Sequence, residues 1–251
     1  MPTVSLAGTI RPDVKDEKYI DYGAKHKCVL RIRLLEKSED KTVTGFGSCV
    51  VIKPKVVITA AHAVKGVDKL IVVQDDGTEF PVRWSAFPAK HSLTKNAERY
   101  DIAVCYLEKP IDLSFYPEMY RDKDEAGKIC SIAGYGVSGT YDNGVTIRKS
   151  QKRAGSNFVD EILNGMLICT VGKKNITSLE YMIAGGDSGG GLFIDKKLAG
   201  INSNVSTIHS DKNPNSDIYD WSCHTRVSDH VDWIDKCIDV FERIEKEGGT
   251  E

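Results

Sequence analysis

The stretch 185–191 places five glycines around the pair Asp187-Ser188. Glycine can adopt positive φ and lets other segments approach the backbone closely, but its conformational freedom destabilises regular structure. The stretch therefore suits neither a helix nor an ordinary strand. We predict a loop that exposes the Ser188 hydroxyl and leaves the N–H groups of Gly186 and Ser188 free to converge on a developing negative charge. The alternative is a surface turn with an incidental serine, and a base and an acid elsewhere decide between the two.

A histidine and an aspartate lie at the ends of apolar runs. His62 comes shortly after the run 56–58, and Asp101 directly precedes the run 102–107. A serine hydroxyl is a weak nucleophile until an imidazole takes its proton, and the imidazole needs a carboxylate to fix its tautomer. The pattern therefore predicts Ser188 as the nucleophile, His62 as the general base and Asp101 as the acid that orients His62.

Three motifs together carry a family resemblance: TAAH at 59–62, DIA at 101–103 and GDSGG at 186–190. In this combination and order, the chain resembles the chymotrypsin- and trypsin-like serine proteases from about residue 28 to residue 233. The resemblance implies an endopeptidase that hydrolyses peptide bonds through an acyl-enzyme, with an oxyanion hole at Gly186 and Ser188. Two alternatives stay open, namely a catalytically silent binding protein on the same scaffold and an esterase-like hydrolase. The complete triad disfavours the first and the chain order disfavours the second.

Short alternating or β-branched runs, separated by turn signals such as 75–77, predict an all-β fold. We expect two antiparallel six-stranded β-barrels, which the resemblance implies are chymotrypsin-like, with the active site in the crevice between them and a C-terminal α-helix. The expected division is an N-terminal arm at 1–24 with a short helix at 16–22, a first barrel at 25–112, a linker at 113–127, a second barrel at 128–227, and a helix and tail at 228–251.

The C-terminal helix is predicted from a change in periodicity after residue 227. Ser228 is the predicted N-cap, and Gly248-Gly249 the predicted end of the helix. One apolar face is predicted to hold Val231, Ile234, Ile238 and Phe241.

The seven cysteines are an odd number and cannot all pair within one chain. By the resemblance, Cys130 and Cys169 occupy disulfide positions, but Ile194 lies near the place of one partner and no cysteine lies between 131 and 168 for the other. Ala63 likewise replaces a cysteine of the family. We therefore predict reduced, mostly buried thiols, which favours a reducing compartment and a cytoplasmic location, with secretion after removal of a leader as the alternative.

Composition gives few hints of partners. The net charge of −2 is spread over both signs, and the longest apolar runs are far too short to span a bilayer, so we expect neither nucleic acid nor membrane as a partner. No C-x-x-C pair or His/Cys repeat is present, and we expect no metal and no cofactor. The expected partner is a protein or peptide substrate, bound by a monomer.

Asp187 is expected to be a buried structural acid. In relatives this aspartate pairs with an N-terminal amine that zymogen cleavage releases, whereas here the nearest candidate start, 8–11, departs from the family pattern. Three readings stay open: another cation meets Asp187, the loop is ordered without cleavage, or the mature form begins elsewhere. A buried carboxylate without a partner is costly, so some partner or a shifted pKa is expected.

The resemblance also implies a substrate cleft. Met182 and Ile183 would begin the floor of the specificity pocket and Val205 would form its wall, while Ser203, Asn204 and Val205 would bind the peptide backbone by β-addition. Ser203 would also hydrogen-bond near Asp101. With no acid at Met182, we expect a preference for small or medium apolar residues before the cut. Still open are an acid supplied by the insert, at Asp211, Asp217 or Asp220, and which residue of 222–224 closes the pocket. The five histidines besides His62 are expected to be surface or satisfied structural residues: His26, His91, His209, His224 and His230.

Overall fold

The computed structural model describes residues 8–38, 41–94, 97–147, 150–173, 175–207 and 214–248. The first described segment is an arm that contains strand β1 (Thr9–Ile10) and helix α1 (Asp16–Gly23). The short helix predicted at 16–22 is therefore confirmed. It packs closely on the second half of the chain, because a Cβ at Gly23 would lie 2.9 Å from the backbone of Arg153.

Six strands then form a closed barrel in the order β2-β3-β4-β7-β6-β5. All neighbouring strands in it are antiparallel, and its interior is filled mainly by valine, isoleucine and leucine side chains, of which the β-branched ones pack well on a pleated surface. The strands are β2 (Val29–Ser38), β3 (Lys41–Lys53), β4 (Val56–Thr59), β5 (Lys69–Val73), β6 (Glu79–Ala86) and β7 (Ala103–Leu107). Helix α2 (Lys90–Leu93) lies in the connection from β6 to β7.

The second half divides its strands between two sheets. A seven-stranded antiparallel sheet has the order β11-β8-β15-β16-β17-β13-β12, and a four-stranded sheet has the order β10-β9-β1-β14. The strands are β8 (Ile129–Gly134), β9 (Ser138–Thr140), β10 (Gly144–Ile147), β11 (Arg153–Phe158), β12 (Glu161–Leu163), β13 (Met166–Cys169), β14 (Tyr181–Met182), β15 (Gly191–Ile194), β16 (Lys197–Thr207) and β17 (Asp220–Arg226).

The all-β class with a closed six-stranded barrel is confirmed, while the second half differs in detail from a six-stranded barrel. The reason is the N-terminal arm, whose strand β1 inserts between β9 and β14. Thr9 pairs with Met182 in antiparallel fashion and with Gly139 in parallel fashion. A segment expected to lie outside the barrels thus belongs to the second half.

Helix α3 (Val231–Lys246) ends the described chain, and its predicted apolar face is buried as expected. Phe241 stacks on Trp84 of the first barrel with ring centroids 6.0 Å apart, so the helix packs on the opposite half. The predicted N-cap is wrong: a 3₁₀ turn (Val227–Asp229) comes first and His230 is the N-cap. Ser228 instead donates its hydroxyl to Glu125 at 2.7 Å. Gly248, at φ +86°, follows the helix end as predicted.

Glu125 explains why Ser228 is diverted from capping. Its carboxylate is fully buried and accepts hydrogen bonds from Nε and Nη2 of Arg226 at 3.0 and 2.6 Å. A buried carboxylate is tolerated only when its lone pairs are satisfied, and the Ser228 hydroxyl supplies the third donor. The segment predicted as a linker is thus fastened to the end of β17.

All seven cysteines are free thiols, and six of them are buried, in agreement with the prediction. Cys130 and Cys169, which the resemblance put at unpaired disulfide positions, face each other with their Sγ atoms 4.0 Å apart. Burial raises the pKa of the Cys105 thiol to about 12, which keeps it in the protonated, unreactive form. Within the described ranges, no helix is long and apolar enough to cross a bilayer.

Candidate active site

His62 and Asp101 meet at one edge of the barrel because their strands are antiparallel neighbours. Strand β4 ends at Thr59, which pairs with Ala103 at the start of β7. His62 lies in the 3₁₀ turn (Ala61–Ala63) just after β4, and Asp101 lies just before β7. The end of one strand and the start of its antiparallel partner lie side by side, so the two side chains are brought together.

The Asp101 carboxylate is nearly fully buried, with 4% of its side chain exposed. Its Oδ2 accepts hydrogen bonds from Nδ1 of His62 at 2.7 Å and from the Ser203 hydroxyl at 2.6 Å, and its Oδ1 accepts the backbone N–H of His62 at 2.8 Å. Burial alone would raise the pKa of the Asp101 carboxyl, but these hydrogen bonds outweigh it and lower the pKa. Asp101 is therefore ionised near neutral pH.

The same contact fixes His62. Because a carboxylate only accepts hydrogen bonds, Nδ1 of His62 must carry the proton, which leaves Nε2 as the base. Burial acts to lower the pKa of His62, but the hydrogen bond and charge of Asp101 prevail and raise it. The His62 side chain is 44% exposed, so the open side of the ring is within reach of a substrate.

Ser203 reaches Asp101 through a break in the β16 ladder. Asn202 pairs with His224 and Asn204 with the preceding Cys223, so Ser203 is the extra residue of a β-bulge. A bulge re-aims one side chain, and here it turns the Ser203 hydroxyl toward the other half of the molecule. The predicted contact between Ser203 and Asp101 is present in the structure.

The glycine-rich loop with Ser188 connects β14 to β15 and is fastened to the first barrel by Ser48 of β3. The Ser48 hydroxyl donates to the Gly186 carbonyl at 2.7 Å, and its N–H donates to the Ser188 carbonyl at 2.8 Å. Gly189 adopts φ +84°, and a Cβ there would lie 2.1 Å from Oγ1 of Thr59. Only glycine permits this backbone conformation and this approach. Sequence reasoning missed Ser48, since nothing in its local sequence marks it.

The Ser188 hydroxyl donates to the Ser203 carbonyl at 3.4 Å, and within the described chain it makes no hydrogen bond with His62. Catalytic hydrogen bonds are often long or unformed before a substrate binds, so this rotamer leaves the assignment of Ser188 open. The backbone N–H groups of Gly186 and Ser188 donate to no acceptor among the described residues. Two donors beside the serine are thus available to an oxyanion.

Asp187 is completely buried directly before Ser188. Its Oδ2 accepts the Tyr181 hydroxyl at 2.8 Å and the Ala184 N–H at 3.2 Å, and its Oδ1 accepts the Gly136 N–H at 2.9 Å. Burial raises the pKa of Asp187 to about 6, although these donors and the charge of Arg153 act to lower it. Side-chain and backbone donors among the described residues thus bind both oxygens of Asp187, and Tyr181 is a site residue that sequence reasoning missed.

The predicted pocket residues fall into two separate apolar clusters and differ in accessibility. Met182 is fully buried in a cluster with Tyr141 and Val171, while Val205 is only partly buried. Ile183 is buried and donates its N–H to the Ser222 hydroxyl at 3.0 Å. Of the three candidates to close the pocket, Ser222 therefore contacts Ile183.

The acids of the insert differ in what they contact. Asp220 is buried and its Oδ2 accepts the N–H groups of Asn215 and Asp217 at 2.9 and 3.1 Å, so this oxygen faces its own loop. Oδ1 of Asp217 accepts the Tyr219 N–H at 2.9 Å. Asp211 lies outside the described residues, as does His209.

The remaining described histidines fall into two groups. Both ring nitrogens of His26 are hydrogen-bonded, and Nε2 of His230 contacts the Arg99 carbonyl at 2.7 Å, as expected for structural residues. For His224 and His91 the expectation is wrong, because each has one buried ring nitrogen without a partner in the described chain. His91 lies beside Asp101 because the connection between β6 and β7 folds back over the carboxylate.

The comparisons with known proteins agree with this geometry. The model of the Trypsin family matches residues 33–234. Neuropsin, a serine protease expressed in the limbic system of mouse brain, superposes with a TM-score of 0.63 over 85% of this chain and 95% of its own, at 18% identity, a likeness that shows the fold alone. A protein of Haemophilus influenzae, described as "Probable periplasmic serine protease do/HhoA-like", is 25% identical over 213 residues, which cover 81% of this chain and 41% of that protein.

The fold is chymotrypsin-like, and it carries a histidine–aspartate pair and a glycine-rich loop with a serine. Since the family match extends over most of its length, the chain belongs to the trypsin family. It spans about two fifths of the length of its bacterial relative, so the functions of that whole protein do not transfer to it directly.

Replacing Tyr181 with phenylalanine should destabilise the protein by about 1–3 kcal/mol at pH 7.5, because the buried Asp187 carboxylate then loses a donor. The loss should shrink at pH 5, since Asp187 is protonated below a pKa of about 6 and its charge no longer needs the hydroxyl. Urea unfolding at both pH values measures this difference.

Tyr19→Phe is the matched control for this measurement. The Tyr19 hydroxyl accepts the Arg11 N–H at 3.3 Å, and its ring lies 6.5 Å from that of Tyr181. Its removal should change stability equally at the two pH values. The same equality for Tyr181→Phe would contradict the assigned role of Tyr181.

Proposed function

We propose that the protein is an active serine endopeptidase that uses Ser188, His62 and Asp101 as its catalytic triad. The observation that carries the proposal is the short hydrogen bond between Nδ1 of His62 and the buried Asp101 carboxylate. When the His62 ring is neutral, this contact leaves Nε2 as its unprotonated nitrogen on a half-exposed side chain, which is the state that general-base catalysis requires.

The reaction follows from these groups. A rotation about its Cα–Cβ bond takes the Ser188 hydroxyl from the Ser203 carbonyl toward Nε2 of His62. His62 then accepts the proton as Oγ attacks the peptide carbonyl, and the Asp101 carboxylate stabilises the imidazolium that forms. The N–H groups of Gly186 and Ser188 bind the oxyanion. His62 next donates its proton to the leaving amine, and water hydrolyses the acyl-enzyme by the same steps.

Asp187 and Ser203 support this site indirectly. Asp187 accepts the N–H of Ala184, directly before the glycine loop, and that of Gly136, in the connection after β8, so it holds the loop in a shape that keeps the oxyanion donors free. Ser203 gives Asp101 a hydrogen bond that does not depend on His62, which stabilises the carboxylate when the ring moves. Ser203, Asn204 and Val205 form the β16 segment proposed to bind the peptide backbone. Oδ1 of Asn204 is buried and accepts no hydrogen bond from the described residues, so a substrate N–H would satisfy it.

For specificity, we propose small or medium apolar residues before the cut, bound near Met182, Ile183 and Val205. The support is the apolar character of these side chains and the engagement of Asp220 Oδ2 with its own loop. A lysine or arginine would lose hydration there without meeting a carboxylate. We further propose that the protein acts as a monomer on protein substrates. Its two lobes are then the barrel of 25–112 and the barrel region of 128–227, which strand β1 of the arm completes, with the linker and the C-terminal helix beside them.

Replacing Ser188 with alanine should lower kcat for peptide hydrolysis by at least about 10⁴-fold without unfolding the protein. A phosphonylating reagent should label Ser188 alone in the unmodified chain. Ser114→Ala, at an exposed serine outside the site, is the control and should keep full activity. Undiminished hydrolysis in Ser188→Ala would rule out the triad. An unmodified protein that hydrolyses no peptide would support the silent binding protein.

The residue preference is tested by digesting a peptide library and sequencing the products. We expect cuts after alanine, valine and leucine with graded rates, because each well-packed methylene adds about 1 kcal/mol to transition-state binding. Asp217→Asn is the informative variant, because the Asp217 residue is only partly buried whereas Asp220 is buried. A dominant cut after lysine or arginine would contradict the proposed pocket, and its loss in Asp217→Asn would identify the acid responsible.

A further inference from the structure

A second histidine lies against the carboxylate that holds His62. Nε2 of His91, on α2, is 3.6 Å from Oδ1 of Asp101. Only 12% of the His91 side chain is exposed, so solvent screens the interaction weakly. The Asp101 carboxylate therefore has imidazole rings on both of its oxygens.

Asp101 has the capacity to accept a donor from His91. Oδ2 already accepts two hydrogen bonds, from His62 and Ser203, whereas Oδ1 accepts one, from the backbone N–H of His62. A carboxylate oxygen has two lone-pair positions, so one position on Oδ1 remains free. At 3.6 Å the contact with His91 is electrostatic, and a small rotation of the ring would convert it to a hydrogen bond.

Packing alone does not account for a histidine at position 91. Its ring makes an edge contact with Phe87, with centroids 5.9 Å apart, and its buried Nδ1 has no hydrogen-bond partner in the described chain. An unpartnered buried nitrogen costs free energy, whereas a phenylalanine in the same place would pack against Phe87 without that cost. The polar interaction of His91 is thus made by its other nitrogen, Nε2, which faces Asp101.

We propose that His91 is a positioning residue that shares the Asp101 carboxylate with His62 and so limits how strongly Asp101 holds a proton on His62. The proposal rests on the function of His62 as the general base. A neutral His91 that donates Nε2–H to Oδ1 draws part of the carboxylate charge toward itself. The His62 imidazolium is then less stabilised, and His62 stays a free base at lower pH than it otherwise would.

The surroundings keep His91 neutral. Burial lowers the pKa of His91, the Asp101 charge opposes this, and the charges of Lys65 and of protonated His62 lower it further. The 3₁₀ turn (Ala97–Tyr100), which packs on α2, contributes Glu98, Arg99 and Tyr100. Arg99 and Lys90 both lie over the Tyr100 ring, at 5.2 and 5.5 Å from its centroid. Protonation of His91 in acid would add a second cation beside His62 and repel its proton.

Replacing His91 with phenylalanine should therefore shift the acid limb of the kcat/KM–pH profile to higher pH by about 0.5–1 pH unit. His91→Gln keeps a donor for Asp101 and should shift the limb less than half as far. Phe87→Leu is the matched control, because it removes the ring contact but leaves both nitrogens in place, and it should leave the limb unchanged. A limb unmoved in His91→Phe, or moved equally in Phe87→Leu, would overturn the proposal.

NMR titration of the His62 imidazole in Ser188→Ala gives a readout that needs no turnover. Suppose that the unmodified protein hydrolyses no peptide, while adding His91→Phe to Ser188→Ala still raises the pKa of His62. In that case the proposed protease function fails and the role of His91 stands. An identical His62 titration with and without His91 overturns the role of His91 whatever the activity. If His91→Phe does not fold, the His62 titration in Ser188→Ala alone tests the proposal. Coupling between the two histidines predicts a titration curve of His62 with two steps, the second of which reports the protonation of His91, and a single step would contradict the coupling.

Discussion

The burial of the Asp101 carboxylate at the junction of the two halves is the constraint on which the site depends. A buried charge is tolerated only when donors surround it, and here the donors come from both halves. His62 belongs to the same barrel, while the Ser203 hydroxyl comes from β16 across the crevice. The Asp101 carbonyl is also bound from that side, by the Thr225 hydroxyl at 3.0 Å. The carboxylate that binds the His62 ring therefore also joins the two halves of the molecule.

The serine loop likewise depends on a buried acid, Asp187, whose carboxylate accepts hydrogen bonds from surrounding donors. Asp187 is satisfied from the second half, through Tyr181 and two backbone N–H groups, whereas the loop carbonyls of Gly186 and Ser188 are bound from the first barrel by Ser48. The glycines permit the close approach that these contacts need. Both oxygens of each acid accept hydrogen bonds within the described chain. The arm contributes strand β1, which pairs with Met182 and Tyr181.

Much of this could be predicted from local sequence. Glycine spacing marked the loop of Ser188, and the apolar runs before His62 and after Asp101 marked their strand ends, because these patterns reflect backbone geometry. The contacts of Ser48, Tyr181 and His91 could not be predicted in this way, since each depends on which segments meet after folding. Ser228 shows the opposite error: its cap propensity was overridden by the buried Glu125, whose need for a third donor is a tertiary effect. The place of β1 in the second half was likewise decided by pairing partners distant in sequence.

If the Asp101 carboxylate fixes the His62 ring, the proton of the neutral ring stays on Nδ1. Nitrogen-15 NMR of the histidine-labelled protein at pH 8 distinguishes the two tautomers, because the two ring nitrogens resonate differently when protonated. We expect a single Nδ1–H tautomer for His62, with a low-field proton that is lost in Asp101→Ala. A His62 ring protonated on Nε2, or one that exchanges between both tautomers, would contradict it.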